Sequence, residues 1–259
     1  VKAGAVVIDN SSAFRMDPEV PLVVPEVNPQ AILKHKGIIA NPNCSTIIMV
    51  MALKPIYDLA KIKRVIVSTY QAVSGAGKEG IDELDAQVRD HSEGREMTAN
   101  ILPSASAEKH YPIAFNLIPQ IDVFCDNLYA KEEMKMVNET KKIMEDYEMR
   151  ITATTIRVPV YRSHSESVNI ELEKEVDLGA MREALAKFPG VTVQDDPSKQ
   201  EYPMPLYTSE KDDVYVGRLR RDESCEKSYN MWVVGDQIRK GAALNTLQIA
   251  ETMIKNGWI

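Results

Sequence analysis

The sequence predicts an α/β protein in which strands and helices are mixed in an α+β or α/β arrangement. Two observations predict this class: several β-branched runs follow one another in the second half of the chain, and helical segments are interspersed among strands throughout. With 259 residues, 44% of them hydrophobic, the chain can build a real core in one large or two small domains.

The first part of the chain is predicted to form short extended segments that lead into a buried helix. From Ser45, apolar side chains surround most of the helical cylinder, as in a core helix. The β-branched run RVIVSTYQAV then predicts a strand that continues into a glycine-rich turn. In order, we predict extended segments at 5–8, 20–28 and 37–43, a helix from 45, a strand at 64–73 and an amphipathic helix at 81–93.

A proline-punctuated loop at 102–122 separates these elements from the second part of the chain. The segment 131–147 is a strongly amphipathic helix with acids early and lysines later, and 239–256 is a long closing helix. Between them we predict strands at 151–160, 166–176, 191–194, 213–222 and 229–236, with a helix at 178–188. We divide the chain near Pro42 and Asp236, with 1–42 and 237–259 in one layer and 43–236 as a larger central unit.

Composition excludes several function classes. A net charge of −7 and the lack of a basic block argue against nucleic-acid binding. The sequence has neither an apolar run long enough for a membrane helix nor a signal-peptide pattern at Val1, which predicts a cytoplasmic protein. The three cysteines contain no C-x-x-C pair and the four histidines no H-x-x-x-H pair, so neither a disulfide framework nor a metal site is predicted.

Cys44, in NPNCST, is the first candidate for chemistry. A thiol at a helix N-terminus lies at the positive end of the helix dipole, which favours the thiolate and lowers the thiol pKa. The same helix end offers backbone N–H groups to an oxyanion. The alternative, a small buried hydrophobic residue, remains open from position alone.

His164 lies in a predicted loop between two strands, and Arg157 lies seven residues earlier on the incoming strand. A loop histidine among serines and Glu166 suits proton transfer, although a surface turn histidine is the commoner case. Arg157, on the incoming strand, offers a planar fork to a carboxylate or phosphate, with a surface salt bridge as its alternative. On the helix from Lys131, Glu132 and Lys135 share a face, and a solvated ion pair is the simplest interpretation of that spacing.

Five motifs in one order, NPNCST, QAVSGAGKEG, KEEMKMVNET, RVPVYRSHSESVNIE and GDQIRKGAALN, together resemble the aspartate-β-semialdehyde dehydrogenase family along essentially the whole chain. That family interconverts aspartyl-β-phosphate and aspartate-β-semialdehyde with NADP(H) and phosphate, on the route to lysine, threonine and methionine. The resemblance implies a small-molecule substrate and a homodimer built through the sheet of the catalytic domain, with a tetramer left open. It also implies that 43–236 is the α+β catalytic and dimerisation domain with a mixed sheet, that 1–42 is the remnant of a Rossmann-like nucleotide-binding domain, and that the helix in 237–259 returns to that domain.

The resemblance also implies a role for individual residues. Cys44 matches the acyl-accepting nucleophile, His164 the general acid/base and Gln71 the side chain that orients the substrate. Each binding group is likewise implied: Arg157 for the α-carboxylate and Glu132 for the α-ammonium, Arg15, Asn43 and Lys135 for phosphate, and Ser74, Gly75 and Gln237 for the nicotinamide end of the cofactor.

One departure from the family concerns the cofactor. No Gly-rich turn after a first strand precedes Val1, so we expect this polypeptide to bind NADP(H) poorly and the choice of NADP over NAD to lie upstream. Gly75, Gly77 and Gly80 fit G-x-G-x-x-G, but no second strand with a closing acid follows, and we reject that segment as an adenine-ribose site. The alternatives are a related acyl-phosphate reductase such as N-acetylglutamyl-phosphate reductase, a Cys-His thioesterase-like hydrolase, and an inactive fragment.

Overall fold

The computed structural model describes Val1 and residues 4–258 of the chain. The predicted segments 1–42 and 237–259 include residues 2, 3 and 259, which lie outside the described residues. The helices are α1 (Cys44–Leu59), α2 (Lys78–Ser92), α3 (Lys131–Ile143), α4 (Leu178–Lys187), α5 (Pro205–Thr208) and α6 (Leu244–Asn256). The strands are β1 (Val7–Asp9), β2 (Ile38–Ala40), β3 (Ile62–Gln71), β4 (Arg150–Arg157), β5 (His164–Leu172), β6 (Val191–Val193), β7 (Val214–Arg221) and β8 (Ser228–Gly235).

The larger layer is a mixed six-stranded sheet in the order β4-β3-β5-β8-β7-β6. β3 and β4 run parallel, as do β6 and β7, while β3–β5, β5–β8 and β7–β8 are antiparallel pairs. This confirms the predicted α/β class with a mixed sheet. Alternate strand residues such as Val67, Val168, Ile170 and Val233 are buried on one face of this sheet, in the same hydrophobic core as the apolar residues of α1.

The smaller layer holds the beginning and the end of the chain together. β1 and β2 form a parallel two-stranded sheet. Its core joins Val23, Ile32 and Ile39 to Ile249 and Met253 of α6. Of the extended segment predicted at 20–28, Leu22 pairs with Ala40 of β2 in an isolated parallel bridge, whereas residues 25–27 form a turn, and a 3₁₀ turn follows at Pro29–Lys34.

The predicted closing helix begins with a different geometry from the rest. Residues Arg239–Ala243 form a π-helical turn before α6 starts. The wider turn brings Gly241 against Cys44, so close that a Cβ on Gly241 would lie 2.9 Å from the Cβ of Cys44. Glycine is required here because the two backbones approach too closely for any side chain.

Candidate active site

Cys44 is the first residue of α1, so it lies at the helix N-terminus as the sequence predicted, one residue before the predicted start at 45. Asn43 caps the helix: its Oδ1 accepts hydrogen bonds from the backbone N–H of Ser45 at 3.0 Å and of Thr46 at 3.2 Å. The extended backbone of Asn43 turns the chain sharply into the helix. The cap therefore fixes the direction of the first turn and with it the position of the thiol.

The protonation state of Cys44 differs from the sequence prediction. Burial and the neighbouring carboxylate of Glu132 raise the pKa of the thiol to about 12, although the Ser45 backbone, Arg157 and Arg15 act in the opposite direction. The predicted lowering of the pKa by the helix terminus is thus outweighed. Without substrate, Cys44 is a protonated thiol at neutral pH.

His164 is the first residue of β5 and is buried, whereas the sequence predicted a loop position between two strands, with a surface turn as the alternative. Its Nδ1 accepts a hydrogen bond from the backbone N–H of Ala72 at 3.1 Å. The other ring nitrogen, Nε2, is buried and has no partner among the described residues. Burial, and then the charge of Arg157, lower the pKa of His164 well below its ordinary value, so the imidazole is neutral.

Arg157 and Gln71 end two neighbouring parallel strands. They are paired residues at the carboxyl ends of β4 and β3, which explains why residues 86 positions apart lie side by side. Arg157 is 3% exposed and donates from Nη1 to the carbonyl of Ala72 at 2.8 Å, while its Nε has no described partner. A Cβ on Gly75 would lie 2.7 Å from Nη1, so glycine at this position leaves the guanidinium its space.

Glu132 connects Asn43, the residue before Cys44, to the side-chain amide of Gln71. Its Oε1 accepts a hydrogen bond from Nδ2 of Asn43 at 2.9 Å and from Nε2 of Gln71 at 3.4 Å. Glu132 is 5% exposed. The ion pair with Lys135 considered from the sequence therefore forms, but the prediction that it is solvated is wrong. Three predicted site residues from three different elements therefore form one hydrogen-bonded group.

Lys135 bridges two carboxylates. Its Nζ lies 3.1 Å from Oε2 of Glu132 and 3.0 Å from Oδ2 of Asp122. Burial opposes the charge, but the coulombic effect of Glu132 and the hydrogen bond to Asp122 prevail and raise the pKa of Lys135. Sequence reasoning missed Asp122, since nothing in the proline-rich loop marks this residue.

Arg15 lies behind Asn43 and is engaged by protein groups. It donates to the carbonyls of Asn41 and Asn10 and forms an ion pair with Glu139, 3.3 Å from Nη1 to Oε1. The other oxygen of Glu139 accepts the backbone N–H of Asn43 at 2.6 Å. Glu139 was also missed, although its distance of two helical turns from Glu132 on α3 placed both acids on one face.

Gln237 and Ser74 meet beside the site. The amide Nε2 of Gln237 donates to Oγ of Ser74, and its Oε1 accepts the backbone N–H of Ser163 at 2.9 Å. Gln237 thereby ties the segment after β8 to the glycine-rich turn after β3 and to the residue before His164.

A cavity of about 490 Å³ collects most of these groups. α2 shapes its far wall, because Oε2 of Glu83 accepts the backbone N–H groups of Asn100 and Ile101. The structure thus brings seven predicted residues to one cavity and places Arg15, His164, Ser74 and Gln237 behind or beside it. The predicted residues that line the cavity are Asn43, Cys44, Gln71, Gly75, Glu132, Lys135 and Arg157.

The described residues contain neither a candidate metal site nor a helix that could span a membrane. Within Val1 and residues 4–258, no group of three or more His, Cys, Asp or Glu side chains is arranged to hold a metal ion. No helix in the described part of the chain has the length and apolar character needed to cross a membrane.

Comparison with known proteins identifies consistent relatives. The family profile "Semialdehyde dehydrogenase, dimerisation domain" matches residues 53–240, and "Semialdehyde dehydrogenase, NAD binding domain" matches residues 1–35. The aspartate-semialdehyde dehydrogenase of Aquifex aeolicus is 56% identical over 260 residues, which span 100% of this chain and 75% of the relative.

Solved structures of proteins named aspartate semialdehyde dehydrogenase have a similar fold. Aspartate semialdehyde dehydrogenase II of Vibrio cholerae, in a crystal structure complexed with ASA, has a TM-score of 0.91 and 47% identity over 98% of this chain and 74% of its own. The Candida albicans aspartate semialdehyde dehydrogenase with NADP shares the fold, with a TM-score of 0.73 and 24% identity over 99% of this chain and 73% of its own.

Proposed function

This chain belongs to the aspartate-semialdehyde dehydrogenase family, and from that premise we propose that it interconverts aspartyl-β-phosphate and aspartate-β-semialdehyde through a thioester on Cys44, with NADP(H), on the route to lysine, threonine and methionine. The observation that carries the proposal is the single cavity that presents a cysteine at a helix N-terminus together with a buried arginine and a buried glutamate. A thiol, a cation and an anion in one cavity match the three functional groups of the substrate.

Substrate binding follows from the charges. The free Nε edge of Arg157 suits the α-carboxylate, and Glu132 suits the α-ammonium. Because Glu132 is the charged group that most raises the pKa of Cys44, an ammonium bound to it lowers that pKa. Binding of the correct substrate therefore promotes ionisation of the nucleophile.

Covalent chemistry then proceeds at the sulfur. The Cys44 thiolate attacks the aldehyde carbon to form a thiohemiacetal whose oxyanion accepts a hydrogen bond from Nε2–H of His164. Oxidation leaves a thioester on Cys44, and phosphate attacks its carbonyl, which releases aspartyl-β-phosphate and restores the thiolate. Lys135, Asn43 and Arg15 are proposed to bind this phosphate.

The residues beside the cavity fit the nicotinamide end of the cofactor. Gly75 lacks the Cβ that would approach both Arg157 and the His164 ring, and Ser74 and Gln237 present polar atoms beside it. NADP(H), when bound there, supplies the two-electron oxidation or reduction of the carbon attached to Cys44.

We also propose the domain division and the assembly. Residues 1–42 would form the remaining part of the nucleotide-binding domain, and the helix in 237–259 would return to it, supported by the shared core of β2 and α6. Residues 43–236 would form the catalytic and dimerisation domain, supported by the dimerisation profile over 53–240. Its sheet would form a homodimer through the face opposite α1.

The acylation half of the reaction can be tested without a cofactor. Aspartyl-β-phosphate should acylate Cys44 directly and release phosphate, so intact-mass spectrometry should show one added aspartyl group that Cys44→Ala abolishes. In the oxidative direction, NADPH formation from aspartate-β-semialdehyde should require phosphate. An unmodified wild-type chain with normal folding would contradict the proposal, and release of free aspartate without a nicotinamide signal would indicate a hydrolase.

A further inference from the structure

Lys135 has two anionic partners, and only one of them is free to remain with it when substrate binds. Glu132 is already bonded to Asn43 and Gln71 and, in the proposed function, receives the substrate ammonium. Among the described residues, no hydrogen bond joins Asp122 to Asn43, Cys44 or Gln71. Asp122 is therefore the partner that holds Lys135 in place once substrate occupies the cavity.

Asp122 is held in a fixed geometry. Its backbone lies in the left-handed region with φ of 68°, where aspartate and asparagine are more readily accommodated than most residues. Oδ1 accepts the backbone N–H of Val123 at 2.8 Å, which leaves Oδ2 directed to Lys135. Gln120 also donates to the carbonyl of Asp122 at 3.0 Å. The carboxylate is therefore anchored before Lys135 approaches.

The lysine remains open towards the cavity. Its ammonium has three protons, and the described acceptors within hydrogen-bonding distance are Glu132 and Asp122. Lys135 and both carboxylates line the same cavity as Cys44. The remaining proton can reach an anion placed between Lys135 and the sulfur.

We propose that Asp122 is a positioning residue that holds the Lys135 ammonium in place for the phosphate group, an inference that rests on the proposed function. It acts through Lys135 and does not touch the substrate. Position outweighs charge here: the carboxylate of Asp122 reduces the positive potential at Lys135, but without it Glu132 is the one described anion that still holds the ammonium, and the lysine is drawn over the subsite for the substrate's α-ammonium.

Removal of the Asp122 carboxylate tests this proposal, because a positioning role and a simple charge effect predict opposite changes in phosphate affinity. If Asp122 only contributed negative charge, its removal would strengthen phosphate binding. The positioning role predicts that Asp122→Gly, which tolerates the left-handed backbone, weakens binding of inorganic phosphate about tenfold in calorimetric titration of the chain. Asp122→Asn keeps a hydrogen-bond acceptor at the same length and should restore affinity to within about threefold.

Glu79 provides the matched control. It lines the same cavity but makes no described hydrogen bond or ion pair with Lys135. Glu79→Gln should leave phosphate affinity unchanged or raise it. In a double-mutant cycle, Asp122→Gly should have no further effect once Lys135→Ala is present.

Several results would overturn the inference. Equal or tighter phosphate binding by folded Asp122→Gly would show that the carboxylate does not position the lysine, and so would an undiminished effect of Asp122→Gly in the Lys135→Ala background. Unchanged phosphate affinity in Lys135→Ala alone would remove the premise of the inference. Cofactor-free acylation of Cys44 would then still test the proposed function separately.

Discussion

The backbone N–H of Ala72 donates a 3.1 Å hydrogen bond to Nδ1 of His164. An amide N–H can only donate, so this nitrogen must carry a lone pair, and the proton of the neutral imidazole lies on Nε2. This tautomer gives the buried side chain a hydrogen-bond donor directed away from Ala72. It supports the acid half of the general acid/base role proposed for His164.

The first prediction concerns this tautomer. Because burial and Arg157 lower the pKa of His164 well below its ordinary value, the neutral Nε2–H form should persist across neutral pH and become charged only in acid. Nitrogen-15 NMR of labelled histidine should show an unprotonated Nδ1. His164→Ala should reduce kcat by about 10²- to 10⁴-fold, and His164→Gln, which retains an N–H donor, should lose less. A protonated Nδ1 at neutral pH would contradict the assignment.

The second prediction concerns the thiol of Cys44. Glu132 raises the pKa of this thiol, so Glu132→Gln should lower it from about 12 and make alkylation by iodoacetamide faster at neutral pH. The midpoint of the rate against pH measures the change. Glu79→Gln, a cavity acid that is not among the causes of the Cys44 shift, is the control. An unchanged or higher midpoint in Glu132→Gln would contradict the coulombic explanation.

The third prediction uses two glycines of one turn. In Gly75→Ala the new Cβ would lie 2.7 Å from Nη1 of Arg157. Displacement of the guanidinium should raise KM for aspartate-β-semialdehyde about tenfold, the effect of losing one good charged hydrogen bond. Gly77 has φ of 82°, and a Cβ there would have no atom within 4 Å; alanine at this position should instead cost about 1–2 kcal/mol of stability with KM unchanged. The opposite pattern in enzyme kinetics and thermal melts would contradict this division.

These residues also show what sequence could and could not predict. NPNCST predicted the helix start to within one residue because capping is a local property of the chain, and β-branched runs predicted the strands for the same reason. The strand order β4-β3-β5-β8-β7-β6 depends on contacts between distant segments. The local pattern was therefore insufficient to place Arg157 beside Gln71, and only the family resemblance joined them.

The errors have the same physical origin. Dipole reasoning used only the local helix end and so gave the wrong direction for the pKa of Cys44, which burial and Glu132 on another helix determine. His164 lies among polar residues in sequence but begins a central strand covered on both sides by neighbouring strands. Asp122 belongs to a loop, where its backbone has a left-handed conformation, and a loop residue carries no periodic sequence signal.

The fourth prediction concerns assembly. Ser167 lies on the sheet face opposite the core, between Ser68 of β3 and Trp232 of β8, and is exposed in the single chain. If the homodimer forms through this face, Ser167→Arg should bury an unpaired charge and shift sedimentation velocity from dimer to monomer. Leu128→Arg, at a residue 84% exposed, is the control and should leave the assembly intact. A wild-type monomer, or a Ser167→Arg dimer of unchanged affinity, would contradict the proposed interface.

The fifth prediction concerns Glu166, a fully buried residue of β5 whose two carboxyl oxygens have no partner among the described residues. Burial raises its pKa well above the ordinary value of 4.5, so the folded state retains a proton that the unfolded chain releases as the pH rises. The wild-type chain therefore loses stability as pH rises above the unfolded pKa. Glu166→Gln removes this loss, and its stability advantage over the wild type should be larger at pH of about 7.5 than at pH of about 4.

Denaturant unfolding of both proteins at the two pH values measures this difference. Glu171 on the same strand is the matched control, because its hydrogen bond with Lys63 lowers its pKa and gives the opposite sign. Glu171→Gln should therefore be neutral or slightly destabilising at neutral pH, by no more than about 1 kcal/mol for an ion pair that is partly exposed. If Glu166→Gln showed the same stability difference at both pH values, the buried carboxyl would have the same proton occupancy in the folded and unfolded chains, and burial would not govern its ionisation.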